Sequence, residues 1–131
     1  MENQIIPGKE NIVQLVQNNT LGELIKPLSR EIHLFDSYIA GTSYIKDEEV
    51  FDDLKEGDKV ILMREPNNHF DEKAILVLDT QNRKLGYVPE VDNTVFSKLM
   101  DAGKCLIGKV TQVGPKGSFR QINISIYMVD F

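Results

Sequence analysis

Apolar positions along the chain change their period after about residue 30. Within residues 11–28, NIVQLVQNNTLGELIKPL, the side chains of Ile12, Leu15 and Val16 share one helical face, and Leu21, Leu24 and Ile25 share another beyond the polar break at Asn18 and Asn19. This predicts two short helices, the second opened by the capping-box pair Thr20 and Glu23 and limited by Pro27. Amphipathic helices of this kind pack an apolar face on a sheet, so residues 1–30 are expected to form an N-terminal helical extension and residues 31–131 the main domain.

From Glu31 the pattern is that of strands. Ile32, Leu34 and then Tyr38 to Ala40 predict a strand that ends at the small residues Gly41, Thr42 and Ser43. The acidic run Asp47, Glu48, Glu49, Asp52 and Asp53 surrounds Val50, Phe51 and Leu54, which fits a short helix or turn with one buried face; its spacing does not match a calcium loop. KVILM (59–63), AILVL (74–78) and KLGYV (84–88) predict three strands, with Thr80 to Arg83 as a hairpin turn. Asp92 or Asn93 is expected to cap a core-facing helix carrying Val95, Phe96, Leu99 and Met100, stopped at Gly103. The last strands are predicted over Lys104–Val113 and Phe119–Val129, joined by a turn at Gly114, Pro115, Lys116 and Gly117. Six strands and three or four helices predict a mainly β fold with helices (α+β), either a curved, mostly antiparallel sheet or a partly open barrel.

Composition narrows the function. A chain of 131 residues with 41% hydrophobic content forms one domain with a genuine core. Twenty acidic against fifteen basic side chains give a net charge of −5, which argues against gripping long duplex DNA but leaves a small nucleic-acid footprint open. The single cysteine, Cys105, excludes an internal disulfide; beside Leu106 and Ile107 it reads as a core thiol, and the expected location is the cytoplasm. His33 on its predicted strand reads as a structural histidine. No segment approaches the roughly 20 apolar residues of a membrane span, so no membrane role is expected.

The segment from Arg64 to Ile75, REPNNHFDEKAI, is too polar for a simple strand connection. Its Pro66, Asn67 and Asn68 favour a turn locked by side-chain bonds to the backbone. His69, Asp71 and Glu72 could hold a metal for phosphodiester hydrolysis, but no nucleophile motif or phosphate-cradling glycine loop accompanies them. An enzyme is therefore the weakest reading, and neither a cofactor nor a bound metal is expected.

This segment, followed by Leu85-Gly86-Tyr87-Val88-Pro89 and then Leu99-Met100-Asp101-Ala102-Gly103, resembles the HIRAN domain family from about Ile32 to Val113. The resemblance implies an OB-like β-barrel with inserted helices. Such modules occur fused to Swi/Snf-type DNA translocases and as stand-alone bacterial proteins, and the fused ones bind single-stranded DNA at a free 3′ end. Carried onto this chain, the aromatic clamp on the terminal base falls on Tyr44 and Phe70, and the carboxylate that accepts a hydrogen bond from the 3′-hydroxyl falls on Asp71. Stacking suits this task because every base has a π-face, and a carboxylate repels a terminal phosphate. Asn67 and Asn68 would shape the loop or offer amide donors, while Arg64, Lys73 and the stretch holding Lys104, Lys109, Lys116 and Arg120 are candidates for phosphate contact. The chain differs from the DNA-binding members at Phe70 (a tyrosine there), Tyr87 (a histidine), Glu90 (a lysine) and Ser43 (a basic residue); the resemblance places Tyr87 and Glu90 in the segment near the bound strand, and Tyr87 is taken as a further nucleic-acid-binding residue.

Three readings follow. The first is a non-enzymatic module for single-stranded DNA ends in DNA repair or replication-fork processing, working with a translocase, nuclease or other repair protein. The second is a protein-interaction module in which Tyr44, Phe70 and Tyr87 anchor a peptide or partner surface. The third is a metal-dependent phosphohydrolase built on His69, Asp71 and Glu72.

Overall fold

In the computed structural model, which describes residues 30–116 and 120–130, aliphatic runs with a period of two form six strands. In chain order these are β1 (Arg30–Tyr38), a 3-10 turn (Thr42–Tyr44), α1 (Glu49–Asp52), β2 (Lys59–Arg64), β3 (Ile75–Leu78), β4 (Lys84–Tyr87), α2 (Glu90–Asp101), β5 (Cys105–Val113) and β6 (Ile122–Asp130). They make one sheet in the order β1-β6-β5-β2-β3-β4, antiparallel at β2–β3, β2–β5, β3–β4 and β5–β6. Ile122, Ile124 and Ile126 of β6 are wholly buried and meet Val60, Val77, Leu85 and Val110, with Phe51 of α1 and Phe96 of α2 joining the same core.

Glu31–Val129 form one compact unit; outside it, Arg30 and Asp130 form a 3.0 Å ion pair. The two helices expected within residues 11–28 lie outside the described residues. Among the described residues no helix is long and apolar enough to cross a membrane.

The expected barrel is corrected to an open sheet. β1 and β4 are its edges, and among the described residues they are laced together only just beyond β1, where Ala40 and Tyr87 exchange backbone hydrogen bonds of 2.7 and 2.9 Å. A side chain at Gly86 would place a Cβ 2.3 Å from the Ala40 carbonyl, and its φ of 151° disfavours any other residue. Gly41 (φ 78°) then turns the chain away into the 3-10 turn, so the ladder cannot extend from this single bridge.

Local expectations were met where turn chemistry is strong. Asp79 fixes the hairpin turn by accepting from the Gln81 and Arg83 amides at 2.9 and 2.8 Å. Gly103 (φ 92°) ends α2, with the Lys104 amide returning to the Leu99 carbonyl. Val50, Phe51 and Leu54 are buried beneath the acidic run.

Four details differ. α2 starts at Glu90 after Pro89, without a side-chain cap, because Asp92 and Asn93 lie inside the helix and bond to Ser37 and Asp71. Val95 is 62% exposed, since the inward stripe of the helix runs through Asn93, Phe96 and Ser97. Cys105 is exposed: alternation along β5 turns Leu106, Gly108 and Val110 inward and its thiol outward. β6 begins at Ile122, whereas Phe119 lies outside the described residues.

Candidate functional site

The loop between β2 and β3 is fixed from within by Asn68. Its Oδ1 accepts the Phe70 and Asp71 amides at 2.9 and 3.1 Å, while its Nδ2 donates to Glu65 Oε1 at 3.1 Å. That Glu65 oxygen also accepts the Tyr87 hydroxyl at 2.7 Å, and this bond, more than any other contact, holds the Glu65 carboxyl below its usual range. On the other side Arg64, only 15% exposed, donates to the Ala74 and Glu72 carbonyls at 2.7 and 3.0 Å and pairs with Asp101 at 2.9 Å. Both ends of the loop are therefore satisfied by hydrogen bonds, and its tip is held outward.

Phe70 stands at that tip, 98% exposed, and Tyr44 on the 3-10 turn is 86% exposed. At this degree of exposure the two rings contribute nothing to the core. Both line one groove of about 770 Å³, a volume typical of a small-molecule site. Its floor is apolar, from Ala40, Ile45, Ala74 and Val88, and its polar groups are Asn68, Asp71, Lys84, Tyr87, Glu90 and Asn93.

Asp71 is the groove's organised acid. Oδ1 accepts the Lys73 amide at 2.9 Å, and Oδ2 accepts Nδ2 of the buried Asn93 at 2.7 Å. The Asn93 bond chiefly, then the Lys73 amide, holds the Asp71 carboxyl below the ordinary aspartate range. Each oxygen keeps a further lone pair for a ligand donor.

Of the residues singled out in the sequence, Tyr44, Phe70, Asp71, Asn68 and Tyr87 converge on the groove. Asn67, Lys73 and Arg64 do not line it, and the guanidinium of Arg64 is already committed to the loop and to Asp101. Lys109 is paired with Glu31, and Lys116 and Arg120 with Asp52, so the C-terminal basic stretch is largely used by the fold. Among the described residues no group of three metal-ligating side chains converges, His69, Asp71 and Glu72 included. A smaller cleft of about 160 Å³ beside Arg83 is lined by Asp53 and Asp79, both already paired with that arginine.

Sequence reasoning missed Lys84 as a groove residue and Asn93 as the partner of Asp71. Lys84 gave no signal, being one polar residue at a strand start. Asn93 had one, since an asparagine inside a helix competes with the backbone unless it has another partner.

A sequence model described as the HIRAN domain matches residues 32–129. No curated protein matches the chain. Among solved structures, a Lactobacillus plantarum protein superposes with a TM-score of 0.74 at 28% identity, over 79% of this chain and 99% of its own. The HIRAN domain of human HLTF gives 0.61 at 20% identity, over 78% of this chain and 79% of its own. The same human domain in its DNA-bound conformation gives 0.53 at 19% identity, over 74% and 78% of the two chains. At such identities the human structures share the fold.

Proposed function

The chain belongs to the HIRAN domain family, and from that premise we propose that it is a non-enzymatic module binding single-stranded DNA at a free 3′-hydroxyl end. The observation that carries this reading is the pair of exposed aromatics, Tyr44 and Phe70, opening on one groove with the ionised Asp71. A base stacked on such rings gains about 1–3 kcal/mol per contact. A terminal hydroxyl donating to Asp71 adds about 1.5–3 kcal/mol, while a terminal phosphate there meets charge repulsion. After ordering costs, micromolar affinity near about −8 kcal/mol is expected.

The human relative solved in a DNA-bound conformation supports the reading. A module this weak acts beside a partner, and a DNA translocase, nuclease or other repair protein in the cytoplasm fits that role. Fluorescence anisotropy with a short oligonucleotide ending in a 3′-hydroxyl, against the same oligonucleotide with a 3′-phosphate, tests it. Tighter binding to the hydroxyl end is expected; equal binding, or none to either at hundreds of micromolar protein, overturns it. The acids Asp71 and Glu90 in the groove favour one second reading, a peptide-binding module anchored by the same aromatics.

A further inference from the structure

Among the described residues every arginine is in an ion pair: Arg30 with Asp130, Arg64 with Asp101, Arg83 with Asp79 and Asp53, and Arg120 with Asp52. The groove has one cation, Lys84, facing two acids, Asp71 and Glu90. Lys84 lies at the start of β4, three residues before Tyr87, and its ammonium sits 4.7 Å from the centre of the Tyr87 ring. It also donates to the Tyr87 hydroxyl at 3.3 Å, which in turn donates to Glu65. This hydrogen-bond chain runs from Lys84 through Tyr87 and Glu65 to Asn68, the residue that shapes the loop under Phe70. The ammonium is thus held at the wall of the groove by a long bond to a hydroxyl and by the field of the Glu65 carboxylate behind it, and among the described residues no carboxylate lies within ion-pair distance of it.

Resting on the DNA-end reading above, we infer that Lys84 is the phosphate contact of this groove, and that the site engages a single phosphate of the terminal nucleotide. A phosphate oxygen is a stronger acceptor than a tyrosine hydroxyl, so the ammonium gains by turning from one to the other while keeping its place against the ring. A second phosphate finds no cation there and meets the carboxylates of Asp71 and Glu90. The site therefore reads the end of a strand rather than its track, and added length beyond the first two nucleotides brings little affinity.

The test is salt-dependent anisotropy on the full chain with a 3′-hydroxyl oligonucleotide and with the same oligonucleotide carrying a neutral methylphosphonate at its last linkage. Lys84→Gln is expected to weaken binding about fivefold and to reduce the slope of log K against log salt by about 0.7, the value of one single-strand phosphate contact. Lys84→Arg keeps most of the affinity. Methylphosphonate reproduces the loss in the wild type and adds nothing to Lys84→Gln, a non-additivity that loss of Tyr87 packing alone would not give. Wild type that binds, with a slope unchanged by Lys84→Gln or with additive losses, overturns the assignment of Lys84 and leaves the DNA reading standing. Wild type that binds neither oligonucleotide overturns both.

Discussion

Nδ2 of Asn93, buried on α2, donates a 2.7 Å hydrogen bond to Oδ2 of Asp71 and so fixes the groove's carboxylate to the helix. The bond favours the ionised form, holding Asp71 below the ordinary aspartate value of 3.8. A carboxylate lowered in this way contributes stability that is fully present above the ordinary value and fades as pH falls through the lowered one. Preference for a 3′-hydroxyl over a 3′-phosphate should accordingly step down at about pH 6, where the terminal phosphate itself loses its second charge, and collapse only below about pH 4, where Asp71 protonates. Asn93→Ala should move that collapse to higher pH. NMR titration of the Asp71 carboxyl carbon checks this, and an unchanged midpoint in the variant would remove Asn93 from the role.

Tyr44 and Phe70 present a cleaner separation of binding from folding. Because both rings are almost fully exposed, Tyr44→Ala and Phe70→Ala should each leave the thermal midpoint within a degree or two of wild type. Each should weaken oligonucleotide binding by about five- to a hundredfold, the span of one lost stacking contact. Calorimetric unfolding beside anisotropy reads both quantities. Full affinity in both variants would exclude the aromatic clamp.

Gly86 is where the fold and the groove meet. Gly86→Ala must push a methyl into the Ala40 carbonyl and hold φ near 151° with a side chain, two effects that together destabilise by about 2–4 kcal/mol. The bridge between Ala40 and Tyr87 should open first, displacing both groove walls. Denaturant unfolding gives the stability loss, and amide exchange should show Ala40 and Tyr87 among the first to lose protection. Wild-type stability would mean that the approach of Gly86 to the Ala40 carbonyl does not hold the two edges together.

These residues also show how far the sequence alone carries. Alternation along β2, β3 and β5, the Asp79 turn and the Gly103 stop depend on neighbours a few positions apart, so a linear reading finds them. The openness of the sheet depends on Gly41 and Gly86, which are 45 positions apart and meaningful only once β1 and β4 lie edge to edge. Likewise Tyr44, Phe70 and Asp71 come from the family pattern, but Lys84 and Asn93 enter the site through β4 and α2 and are chemically unremarkable in isolation. Cys105 and Val95 were misplaced because an apolar neighbour in sequence is not a neighbour in space when the period is two or 3.6.

Glu90 offers the opposite manipulation, a gain. It is the first residue of α2, where a negative charge suits the helix N-terminus by about 0.3–1 kcal/mol, and it lines the groove where it repels phosphate. Glu90→Lys reverses both terms. Stability should fall by about 0.6–2 kcal/mol, read as a drop in the denaturation midpoint, because a favourable charge at the helix N-terminus is lost and the new ammonium opposes the dipole. Affinity for a four- to six-nucleotide strand should rise about fivefold, and the salt slope should steepen by about 0.7 as a second phosphate finds a cation. The gain should vanish for a dinucleotide, whose single linkage is already taken by Lys84. A variant that gains affinity equally for both lengths would show that Glu90 acts on the terminal nucleotide itself, and that the groove's acids do not limit the length of strand it engages.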